Sequence, residues 1–160
     1  MPKILTIPLR PHVKDFLIKT LGPEPIRIHQ TSDIGKLMRL IVHQEPFRQV
    51  KPRLVQQPEK YMLKVQLPQD LKHYTVSDQK LKELGEYLEK YMQNSFIHYM
   101  IGQVIAGQSD WSAVRRFYDQ YEINPDHYDM DTLRKVWRDY KDRIAKQNER
   151  TDFALFQAVA

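Results

Sequence analysis

The chain has 160 residues, 41% hydrophobic and 28% charged, with 25 Lys and Arg against 20 Asp and Glu for a net charge of +5. That apolar share supports a folded core in one domain or two small ones and excludes a wholly disordered chain. With no cysteine, disulfides and thiolate metal sites are excluded, and no apolar run approaches the roughly 18 residues needed to span a bilayer. The start, MPKILTIPLR, has no long apolar stretch ending in small residues. A signal peptide is therefore not expected, and a cytoplasmic setting is.

In chain order, KILTIPL alternates and is rich in branched residues, which predicts a strand over Lys3–Leu9. Pro11 suits the first turn of a helix, whose stripe is Val13, Phe16, Leu17 and Leu21 and whose end is Gly22-Pro23. PIRIHQ reads as a short strand, with Ile26 and Ile28 on one face and Arg27 and His29 on the other. Thr31 or Ser32 can cap a second helix that turns Ile34, Leu37, Met38 and Ile41 inward and Lys36, Arg39 and His43 elsewhere. EPFRQVKPRLVQQPEK, with three prolines, reads as a basic loop carrying Arg48, Lys51 and Arg53. YMLKVQLP follows as a strand, with Tyr61, Leu63, Val65 and Leu67 on one face. It echoes Ile4–Leu9, and the two strands are expected to pair in one small sheet.

From Ser77 onward every segment has helical spacing. Ser77 is the expected cap of a helix to about Ala106, long enough for a break near Asn94-Ser95. Ser109 or Asp110 caps the next, with Trp111, Val114, Phe117, Tyr118 and Tyr121 on its buried side. After a turn at Asn124-Pro125, Asp129 or Asp131 caps a last helix to about Gln147. The reading is an α+β protein. A basic lobe over residues 1–75 has a small sheet and two helices. A helical lobe over 76–150 ends in a helix-turn-helix-like pair. An apolar tail, TDFALFQAVA, occupies 151–160.

The last helix carries the sharpest functional signal. With Leu133 at zero and about 100° per residue, Val136, Trp137, Tyr140 and Ile144 fall within about 60° of it. Arg134, Arg138 and Lys141 cluster at about 80–140°, a basic flank beside a buried stripe. Guanidinium groups so placed can meet phosphates or guanine edges, or their methylenes can simply cover the core edge. The pairing with the preceding helix resembles a helix-turn-helix in outline, although about seven residues intervene, with a proline and no glycine, where a tight turn has 3–4. The stretch RRFYDQYEINPDHYDMDTLRKVWRDYKDR resembles small accessory proteins of bacterial phages and mobile elements, many of which bind DNA. That resemblance implies a regulatory or accessory role and transfers no functional residue.

Charge points to a second surface. Residues 1–75 hold 13 basic and 6 acidic residues, net +7, while 76–160 hold 12 and 14, net −2. The candidate nucleic-acid contacts are therefore Arg134, Arg138, Lys141, Arg115 and Arg116 on the helical pair, and Lys36, Arg39, Arg48, Lys51 and Arg53 in the first half. A merely solvated basic surface is the competing reading, in which Lys14, Lys19 and Arg27 join as exposed charges. Strand–helix–helix order also allows a ribbon-helix-helix unit, but the extra strand and the apolar Leu5, Ile7 and Leu9 face argue against it. The histidines, His12, His29, His43, His73, His98 and His127, form no HExxH or HxH pair, so no metal is expected. There is no GxSxG, Walker loop or GxGxxG, and no cofactor or enzymatic activity is expected. The nine tyrosines and six phenylalanines fall mostly on helix stripes and read as core rather than base-stacking groups. The expected function is non-enzymatic nucleic-acid binding, DNA above all. The alternative is a protein–protein adaptor or structural subunit. The apolar tail is expected either to dock on the body or to be buried in a homodimer through Phe153, Leu155, Phe156 and Val159.

Overall fold

The computed structural model describes residues 3–43, 61–71 and 76–159, and the side chains of these other than 42–43, 70 and 150–159. Three strands and five helices follow in the order β1 (Ile4–Pro8), α1 (Pro11–Leu21), β2 (Ile26–Arg27), α2 (Asp33–His43), β3 (Met62–Gln66), α3 (Asp78–Ile105), α4 (Asp110–Tyr121) and α5 (Met130–Val159). The expected α+β architecture holds, with a small sheet and two helices first and a helical part after it.

The two echoing strands do pair. β3 lies in the middle of the sheet, antiparallel to β1 with Leu5 opposite Val65 and Ile7 opposite Leu63, and parallel to β2 with Ile26 opposite Val65. Alternation then sends Leu5, Ile7, Leu63, Val65 and Ile26 to one buried face. That face is covered by α1 and α3. α3 comes so close that a Cβ on Gly85 would lie 2.2 Å from the carbonyl oxygen of Pro8. Glycine is needed there because only a bare Cα lets the helix reach the strand backbone.

The core is continuous across both halves of the chain. Phe117 of α4 is its aromatic hub, with ring centroids 6.1 Å from Phe16 of α1, 5.0 Å from Phe96 and 5.3 Å from Tyr99 of α3, and 4.6 Å from Tyr121. Leu84, Leu88, Met92, Phe96 and Met100 run along α3 as one buried stripe, and α4 and α5 add Val114, Leu133 and Trp137.

Several boundaries and faces differ from expectation. α3 runs unbroken through Asn94-Ser95, where Ser95 Oγ donates to Tyr91 O and so satisfies its hydroxyl within the helix. β2 is two residues long, because only Ile26 and Arg27 align with β3. α5 continues to Val159 rather than stopping near Gln147, since no glycine or proline interrupts it. Leu21, Tyr61 and Trp111, expected inside, are at least a third exposed, and His12, not placed on the stripe, is buried. The loop carrying Arg48, Lys51 and Arg53 lies outside the described residues.

Candidate functional site

α4 and α5 pack against each other and are held in place by their caps and their connection. Ser109 Oγ accepts from Ser112 N at 3.2 Å, and Asp129 Oδ1 accepts from Asp131 N at 3.0 Å, each satisfying an amide that the helix start leaves open. Glu122 closes α4 in the left-handed region at φ 52°, and Asn124 Oδ1 accepts from Asp126 N to shape the next turn. The Tyr118 hydroxyl donates to Tyr128 O at 2.9 Å, fastening the connection to α4.

This scaffold brings an indole and three cations together. Trp111, 37% exposed, has the Arg115 guanidinium 5.0 Å and the Arg134 guanidinium 4.8 Å from its ring centroid. One arginine comes from its own helix, four residues on, and the other from α5. Next to Trp111 in the chain, Asp110 accepts from Lys141 Nζ at 2.8 Å. That ammonium holds the Asp110 carboxyl below the usual carboxylate range, with Trp137 and Arg134 adding to the effect against the opposing influence of burial. Arg134 also reaches Asp131 at 3.1 Å. Further along, Lys141 Nζ lies 5.5 Å from the Trp137 ring and the Arg143 guanidinium 5.5 Å from Tyr140, which itself stacks on Trp137 at 5.6 Å. These four cation–π contacts lie on α4 and α5.

Of the expected contacts, then, Arg115, Arg134 and Lys141 meet in one constellation. Arg116 and Arg138 are exposed and make no ion pair among the described residues. Lys36 pairs with Asp33 at 3.9 Å, and Arg39 is part-buried; both stand on α2 and do not belong to the Trp111 constellation. Other cations of the first half are engaged internally. Lys14 binds Glu24 at 2.9 Å, Arg10 binds Glu89 at 3.1 Å, and Lys19 binds Glu122. The carboxylates of Asp110 and Asp131 were not anticipated as partners. A pairing across 31 positions, as between Asp110 and Lys141, leaves no local spacing to read.

Two other places bear polar groups. At the start of α1, His12 stacks on Tyr128 with centroids 3.8 Å apart, and Asp15 Oδ2 lies 2.9 Å from His127 Nδ1. Burial, and secondarily the Arg10 charge, push the His12 imidazole down to about 4, and its Nε2 has no hydrogen-bond partner among the described residues. An open cleft of about 500 Å³ is lined by Thr20, Arg27, His29, Ser32 and Tyr91. The Ser32 hydroxyl there is already engaged, donating to His29 O and accepting from Gly35 N at the start of α2. Among the described residues no group of three His, Asp or Glu is placed to hold a metal ion, and no helix is long and apolar enough to cross a membrane.

No family model, curated protein or solved structure matches the chain.

Proposed function

We propose that the protein is a cytoplasmic, non-enzymatic nucleic-acid-binding protein whose contact face is the α4–α5 pair. The observation that carries the reading is the convergence of Arg115 and Arg134, from two helices, on one exposed indole, with Lys141 beside it. Arginine beside an exposed aromatic offers both charge for phosphate and a flat apolar face for a base. Arg116 and Arg138 extend the cationic surface without a carboxylate partner among the described residues.

The test is a fluorescence-anisotropy titration of labelled DNA over a range of salt concentrations. Binding by phosphate neutralisation makes log K fall linearly with log salt. Replacing Arg134, Arg138 and Lys141 together by alanine should weaken binding and flatten that slope by about 2–3, because each lost phosphate contact removes about 0.7–0.9. The thermal melt should hardly move, since all three are exposed. Unchanged affinity in the triple variant defeats this face as the site.

A second reading is favoured by one observation on α5. Ala145, Lys146, Gln147, Asn148 and Glu149, the residues that precede its apolar end, are all exposed. In this reading that end is a protein contact, with a second copy as the partner, and the molecule is an adaptor or structural subunit.

A further inference from the structure

We infer that Trp111 is a stacking platform for an unpaired base, so that the α4–α5 face takes single-stranded nucleic acid in preference to duplex. This rests on the nucleic-acid reading above and names the substrate class of the same site.

Three observations converge. The first is the indole's position. Trp111 sits where helical spacing turns Val114 and Phe117 inward, and both of those are fully buried, yet Trp111 keeps more than a third of its surface in solvent while Trp137 keeps 5%. The groups over its ring include two guanidiniums, at 5.0 and 4.8 Å, rather than only core side chains.

The second is the modest charge. Of the three cations, two are offset at close range: Arg134 by Asp131 at 3.1 Å and Lys141 by Asp110 at 2.8 Å. A duplex, with one phosphate charge per roughly 1.7 Å of axis, rewards a strongly cationic surface. A face with part of its charge already paired gains less from a duplex than a wholly cationic one, and contacts that do not depend on charge carry more of its affinity. Base stacking is such a contact, and every base has a face to stack.

The third is the interleaving of rings and cations along one seam: Trp111 with Arg115 and Arg134, then Trp137 with Lys141, then Tyr140 with Arg143. A base arriving on Trp111 replaces one guanidinium at the ring. Stacking on an indole is stronger than an exposed cation–π contact, and the displaced arginine keeps its charge for the adjoining phosphate. In a duplex the bases are already stacked on one another and present no free face.

The experiment compares, by anisotropy on the full chain at low salt, a labelled oligothymidylate, an oligouridylate and a duplex, each of about 20 nucleotides per strand, a length that covers one binding site. The two single strands should each bind about tenfold or more tightly than the duplex, and whichever binds tighter separates DNA from RNA as the source of the base. Trp111→Leu should lose about tenfold in single-strand affinity, Trp111→Phe should keep most of it, and duplex affinity should stay put in both. Intrinsic fluorescence is an independent readout: the single strand should quench the full chain and leave Trp111→Leu, which retains only the buried Trp137, unquenched. Equal affinity for single strand and duplex, or single-strand affinity untouched in Trp111→Leu, overturns the stacking inference while the nucleic-acid reading stands. Binding to none of the three overturns both.

Discussion

A buried imidazole nitrogen with no hydrogen-bond partner among the described residues is costly when neutral and far costlier when charged, and His12 carries one. It is 2% exposed, stacks on Tyr128, and is surrounded by Arg10, Asp15 and His127, with Glu89 reaching Arg10 from α3. Its folded-state value, about 4, lies below the ordinary 6.5. Between those values the unfolded chain binds a proton that the folded one does not. Stability from this residue is therefore complete above pH 6.5 and is lost as pH falls from 6.5 towards 4. The loss approaches about 3 kcal/mol, at about 1.4 kcal/mol per pH unit. His12→Phe keeps a ring against Tyr128 and removes both the titration and the orphaned Nε2. Urea unfolding of wild type and variant at neutral pH and near pH 4.5 measures the difference. The variant should match or exceed the wild type at neutral pH and lose clearly less stability in acid. Equal acid losses in the two proteins would mean that His12 is not the sensitive group.

At the scale of elements, α3 contains a matched pair of glycines with opposite surroundings. In an exposed helix interior, glycine to alanine gains about 0.5–1 kcal/mol through the lower entropy of the unfolded chain. Gly102 has nothing within 4 Å of an added Cβ, so Gly102→Ala should raise the melting temperature by about 1–4 °C. At Gly85 the same Cβ meets the Pro8 carbonyl at 2.2 Å, and that neighbour is strand backbone that cannot swing aside. Overpacking of this kind costs about 1–3 kcal/mol, more than the entropic gain, so Gly85→Ala should lower the melt. Calorimetry on the two variants checks the sign, and a stabilised Gly85→Ala would show that α3 and β1 are less tightly apposed. Neither position is special in the sequence, and that marks where reading the chain alone stops. The pairing of β1 with β3, the Ser77 cap and the stripe from Leu84 to Met100 follow from periods of two and 3.6 residues, which are local. What Gly85 faces, how far β2 pairs, and why Trp111 stays outside are decided by elements far away in the chain. The cationic flank of α5 was legible from Arg134, Arg138 and Lys141, and Asp131 stands one turn before Arg134 on the same helix, whereas Asp110 and the indole beneath the flank were not legible, because α4 supplies Asp110 and Trp111 from across the fold.

On the scale of the whole molecule, α5 runs on past the residues that tie it to the core among the described ones. Leu133 and Trp137 anchor the helix to the core, with Tyr140 packed against it, and from Ala145 to Glu149 every side chain is exposed. Five consecutive exposed residues span more than one helical turn, so no face of the helix is covered there. The backbone remains helical to Val159, through a segment that includes Phe153, Leu155, Phe156 and Val159. Apolar surface costs about 25 cal/mol per Å² to leave in water, so a segment with four apolar side chains gains by finding a surface that covers them. The proposed association of two copies through these ends would meet that cost, and it would place two Trp111 faces in one particle, where a single strand could engage them together. The two kinds of contact respond oppositely to salt. Phosphate contacts weaken as it rises, whereas apolar contacts persist and are strengthened by sulfate. Light scattering at high micromolar concentration should therefore give a dimer mass that survives added sulfate. Deleting residues 151–160 should give a monomer whose melt is little changed, because Leu133, Trp137 and Tyr140, contacts of α5 with the core among the described residues, all precede residue 145. Its single-strand affinity should fall through lost avidity, not lost contacts. A full-length monomer at high micromolar concentration defeats the pairing. A truncated chain that melts much earlier while the full-length protein is monomeric would place the apolar end on the protein's own core.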